Sequence, residues 1–151
     1  MANTQAMCTS FKGEILSGIH ALGTTVIRAG TGADTLKAAL YLASATINAS
    51  TTAYSVTGEV SGAGYSAGGV TVTNATAPTT SGTTGYWTPS ASFTYTTVTL
   101  TTAFDAVLVY NSTQSNKAIS VHTFGSQTIT AGTFTLTMPT NDSTNALIRI
   151  A

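Results

Sequence analysis

Apolar and polar residues alternate with period two over much of this chain, and the alternation is densest between Phe104 and Phe124. Phe104, Ala106, Leu108 and Tyr110 share one parity while Val107 and Val109 hold the other, so a strand through them presents apolar side chains on both faces. Such a strand belongs in the middle of a sheet. Across the turn formers of NSTQSNK, Ala118–Phe124 sets Ile119 and Val121 against polar neighbours, which predicts the returning arm of a β-hairpin.

Before this hairpin, Phe11, Ile15, Ile19 and Leu22 recur at helical spacing and predict a helix over Ser10–Leu22, capped by Thr9 or Ser10 and ended by Gly23. Gly13 and Gly18 lie inside it and each costs about 1 kcal/mol against alanine, so the helix depends on docking its apolar face. Thr35–Ala43 follows as a strand with Leu36, Ala38, Leu40 and Leu42 on one side; a short helix is the alternative, because Ala, Leu and Lys favour one. From Ser44 to Gly69 the core-like period is lost. GEVSGAGYSAGG there predicts a long shaped loop, pinned by Tyr54, Val60 and Tyr65 to the domain or to a neighbour. Val70 and Val72 make a short strand, and Ala77–Gly85 reads as a connection. Parity changes between Tyr95 and Val98, which places a bulge at Thr96–Thr97. Thr128–Met138 forms a further strand with a turn at Ala131–Gly132, and Ala146–Ala151 forms the last. The expectation is a mainly β domain, an antiparallel sandwich or barrel of jelly-roll type with about eight strands and one N-terminal helix, in which residues 1–23 form an arm and 35–151 the sandwich.

Composition changes this picture at one point. Only 7% of the 151 residues are charged, far below the roughly 25% of ordinary soluble domains, while hydrophobic content is an ordinary 42%. With net charge +0 little self-repulsion keeps copies apart, and the surface suits contact with other protein. Lys12, Arg28, Lys37, Lys117 and Arg149 are scattered, so no phosphate-tracking patch for nucleic acid is expected. No apolar run reaches the roughly 18 residues of a membrane-spanning helix, and the N-terminus lacks the basic-then-apolar layout of a signal peptide, so synthesis in the cytoplasm is expected. Cys8 is the single cysteine and reads as core filler.

Candidate chemistry is sparse. Ser120 and His122 share a strand face near Asp105, but all three sit within core alternation, which speaks against a catalytic triad. The five acids are dispersed, no metal-ligand spacing occurs, and Gly62, Gly64 and Gly68 miss the dinucleotide fingerprint by one residue. No catalytic residue, cofactor or metal is expected. Tyr86 and Trp87 follow a turn-rich connection, so one of them is expected to point outward, core packing being the favoured reading for Trp87; a sugar platform or a protein interface would use such rings. The interface candidates are Phe11, Ile15, Val60, Tyr65, Tyr86 and Trp87.

Three stretches, QAMCTSFKGEILSGIHAL, TLKAALYLASATINASTTAYSVTGEVSGAGYSAGGVTVT and FDAVLVYNSTQSNKAISVHTFGSQTITAGTFTLTMPTNDSTNALIRIA, resemble small structural proteins of tailed bacteriophages. ALYLAS, GEVSGAGYSAGG and NDSTNALIRIA carry most of the likeness. It implies a non-enzymatic virion component, with a capsid decoration (cement) protein as the leading reading. That reading implies the major capsid protein or other virion proteins as partners and a homo-oligomer, a trimer being favoured, without nucleic acid or membrane. A tail, neck or fibre position and a carbohydrate-binding module are the alternatives.

Overall fold

Among the described residues, eight strands and one helix follow in order: β1 (Ala6–Met7), α1 (Thr9–Leu16), β2 (Leu36–Leu42), β3 (Val70–Thr71), β4 (Thr79–Ser81), β5 (Thr84–Trp87), β6 (Phe93–Asn111), β7 (Lys117–Leu136) and β8 (Ile148–Ile150). They come from a computed structural model that describes residues 3–16, 18–22 and 32–151. Both sheets are antiparallel: five strands in the order β1-β7-β6-β2-β3, and three in the order β4-β5-β8. The molecule is therefore mainly β and sandwich-like, as its alternation predicts.

The β6–β7 hairpin is the spine. Its core half sets Leu108 opposite Val121 and Val109 opposite Ser120, and β2 flanks β6 on the other side, with Ala39 opposite Leu108. Phe104 and Ala106–Val109 are fully buried, which is why that run carries apolar residues at both parities. The hairpin also runs further than expected. Both arms continue without a break into the threonine-rich half, and the positions read as a turn at Ala131–Gly132 lie inside β7. Ala131 adopts φ 46, a bulge that carries the core-facing set from Ile129 to Gly132 and on to Phe134. Opposite it, Thr97 at φ 54 marks the bulge expected between Tyr95 and Val98.

Leu36–Leu42 is a strand and not a helix: paired on both edges, its backbone is satisfied by the sheet, and that outweighs the helix preference of Ala, Leu and Lys. Helix α1 is shorter than its periodicity suggests. Gly18 takes φ +66, its N–H bonds the Ile15 carbonyl at 2.9 Å, and the Ile19 N–H reaches back to the Glu14 carbonyl at 3.0 Å. This Schellman pair ends the helix at Leu16, so Ile19 and Leu22 lie beyond it. Gly23, the expected stop, lies outside the described residues. The Ala77–Gly85 connection contains a hairpin, β4–β5, closed between Ser81 and Thr84 and extended by β8 through Trp87 opposite Ile148.

The glycine-rich tract is a loop, as expected, and it lies flat on the large sheet. Val60 N–H bonds the Leu40 carbonyl at 3.0 Å, and Leu42 N–H bonds the Gly58 carbonyl at 2.9 Å. At Gly69, φ is +70 and a Cβ would overlap the Ala38 carbonyl, so only glycine permits this approach.

Candidate functional site

Four arrangements on this scaffold bear on function. The first is closed around Glu59, a buried acid in the glycine-rich loop. Its carboxylate accepts the phenol protons of Tyr54 at 2.6 Å and Tyr65 at 2.7 Å, and the Gly68 N–H at 2.7 Å. Burial, then the bond to Glu59, pushes both phenols above their ordinary pKa, so they stay protonated donors. Tyr65 in turn accepts the Leu40 N–H at 3.0 Å, and Tyr110 donates to the Gly68 carbonyl at 2.9 Å. The cluster pins the loop to the sheet and leaves no donor directed at a substrate.

The second joins α1 to the hairpin. Asn111 Nδ2 donates to His20 Nδ1 at 3.0 Å, which directs the Nε2 proton to Glu14 at 2.7 Å; Lys117 Nζ donates to the other Glu14 oxygen at 2.6 Å. Burial works against ionisation of Glu14, but the Lys117 and His20 hydrogen bonds outweigh it and hold its pKa below the ordinary value. Asn111 also donates to Asp34 at 2.8 Å, and Asp34 accepts the Ala21 N–H at 2.7 Å. Both ring nitrogens of His20 are thus engaged, which makes it a tie between elements and not an acid–base catalyst.

In the third, Ser120 Oγ and His122 Nε2 lie 2.8 Å apart. Ser120 is buried beneath β1, and the Asp105 carboxylate accepts Asn3 Nδ2 at 2.6 Å. His122 is half-buried, and desolvation pulls its pKa down to about 4. The pair is a satisfied structural contact. Cys8 is buried as expected, with its thiol pushed up to about 11 by burial and then by the charge of Glu14, so it is no nucleophile. Among the described residues no cluster of His, Cys, Asp and Glu is placed to hold a metal.

The fourth is a groove of about 630 Å³ between the residues around α1 and the small sheet, walled by Ile15, Leu22, Pro78, Tyr86, Trp87 and Ile148. Its size falls in the range of small-molecule sites, but its walls are largely apolar, with His20 and Tyr86 the titratable side chains among them.

These placements sort the six interface candidates. Phe11, Val60 and Trp87 are buried in this chain's own core, at 0%, 4% and 1% exposure, and present no surface to a partner. Trp87 spends its indole N–H on the Thr76 carbonyl at 2.8 Å, which removes it as a sugar platform. Tyr86, its half-buried neighbour, and Ile15 face the groove, whereas Tyr65 stacks on Tyr95 with centroids 5.9 Å apart. Reading the sequence missed the Glu59 cluster; its signal was a single acid in a glycine tract flanked by Tyr54 and Tyr65. The Glu14–His20–Asn111 tie left none, because it joins residues about ninety positions apart.

No family model matches the chain, and neither the curated proteins nor the solved structures contain a match.

Proposed function

We propose that this chain is a non-enzymatic structural protein of a tailed-phage particle, a decoration protein that binds the assembled capsid shell and bridges its subunits. One observation carries the reading: all five acids are engaged within the chain. Glu14 bonds Lys117 and His20, Asp34 bonds Asn111, Glu59 bonds Tyr54 and Tyr65, Asp105 bonds Asn3, and Asp142 bonds Asn145. A chain that spends its few acids on its own donors leaves a threonine-rich, nearly neutral exterior, suited to broad contact with protein and poor for catalysis or nucleic-acid binding. The motif likeness to tailed-phage structural proteins points the same way.

A decoration protein that binds only the finished lattice stabilises it by mass action, and many repeated weak sites add. Particles assembled without this chain are then expected to lose genome at lower temperature and under milder osmotic shock than complete ones. Unchanged resistance overturns the reading. Quantitative mass spectrometry of purified particles separates decoration, at hundreds of copies, from a tail, neck or fibre part, at about three to twelve.

A further inference from the structure

Past Val121, β7 has a strand neighbour on one side only among the described residues. β1 pairs at Ala6 with Val121 and at Met7 with Ser120 and goes no further, so Gly125–Leu136 is bonded to β6 and turns its other row of backbone groups outward. Such an edge is a template for another strand, and monomeric proteins guard it with charge, proline or bulges. Here the sequence holds no Asp, Glu, Lys or Arg between Lys117 and Asp142, and the first proline is Pro139. The edge is interrupted twice, by a register shift between Thr123 and Gln127 and by the bulge at Ala131. Beyond it the five residues Gly132–Leu136 complete β7; the partner strand shifts register at Thr97, and Phe134, Thr135 and Leu136 then lie opposite Tyr95, Thr94 and Phe93. That is about the length of an ordinary strand.

We propose that this edge joins two copies of the chain as an antiparallel pair, two-fold about Phe134. The occupant follows from the sequence of the edge: Gly-Thr-Phe-Thr-Leu has the same polarity read in either direction, as an isologous contact requires. The two-fold sets position 133 of each copy against position 135 of the other, threonine on threonine, and position 132 against 136, glycine making room for leucine. No charge opposes the approach, and none is present to select a foreign acidic or basic strand. Phe134, half-buried at the end of an aromatic row with Tyr95, Phe104 and Phe124, gains cover on its open side. An isologous edge closes on two copies, where the sequence reading favours three. The inference deepens the homo-oligomer part of the proposed function and does not depend on a place in a virus particle, so each can fail without the other.

Sedimentation equilibrium of the full chain from about 10 to 200 µM tests it. The expected mass at the upper end is twice 15.3 kDa. Thr133→Lys with Thr135→Lys, both at exposed positions, is expected to halve that mass while leaving the circular dichroism spectrum of the folded chain unchanged. A wild-type chain that stays monomeric, any other closed mass, polydisperse aggregation, or a lysine variant that keeps the wild-type mass overturns the proposal. Amide exchange of the wild type gives a second reading, independent of the variant. Protection over Thr133–Leu136 is expected to rise about tenfold with concentration across that range, and concentration-independent exchange overturns the proposal.

Discussion

At the scale of single residues, the side chains that hold this fold together are its rare polar ones. Glu59 satisfies three donors in a region where water is excluded, and a buried donor left without its acceptor costs about 1–3 kcal/mol. Glu59→Gln keeps the volume but turns one acceptor into a donor facing a phenol; a loss of about 1–3 kcal/mol in urea denaturation is expected. An unchanged midpoint removes the cluster from the account of the loop. His122 contributes a pH dependence. Its folded pKa is depressed to about 4 from 6.5, so between those values the unfolded chain binds a proton that the folded chain refuses. Its contribution is complete above about pH 6.5 and lost as pH falls toward 4, up to about 3 kcal/mol. His122→Gln retains a partner for Ser120 and is expected to flatten stability against pH over that window, measured by denaturation at several pH values. Glu14, held below its ordinary value, adds a loss of the same sign at lower pH.

At the scale of elements, α1 shows how little local preference decides. It is eight residues long, contains Gly13, and is closed by Gly18, so in isolation it would not persist in water. Docking supplies the difference: Phe11 is fully buried and meets the His20 ring edge-on at 4.7 Å. Phe11→Ala is expected to cost about 3–4 kcal/mol and to release α1 first. Amide exchange over Thr9–Leu16 should then approach free-chain rates while the β6–β7 core stays protected; retained protection would show that another contact holds the helix. The hairpin is the opposite case. Its two arms, its central position and the parity change near Thr97 were legible because each rests on alternation within a few residues. The β4–β5 hairpin was not, since a Thr/Gly/Ser run reads equally as loop, and only the pairing of Trp87 with Ile148 gives it a neighbour to form against.

Across the whole molecule, the low charge is the property with the widest consequence. Of the ion pairs among the described residues, Glu14 with His20 and with Lys117, none is a network over the surface. Raising NaCl from about 0.05 to 0.5 M is therefore expected to move Tm by less than about 2 °C, as read by scanning calorimetry. A larger fall would reveal surface electrostatics that the bonds described above do not contain. Periodicity and composition were enough for the β class, the helix's dependence on docking, the central hairpin and the neutral exterior, because side-chain parity and charge are properties of neighbours along the chain. Which aromatic faced outward, how the five acids were satisfied, where the helix stopped and which strand edge stayed open depended on contacts between distant segments. Trp87 is the plainest instance: core packing was its favoured reading, but the Thr76 carbonyl that takes its indole proton and the Ile148 strand beside it come from distant segments that only the folded chain brings together.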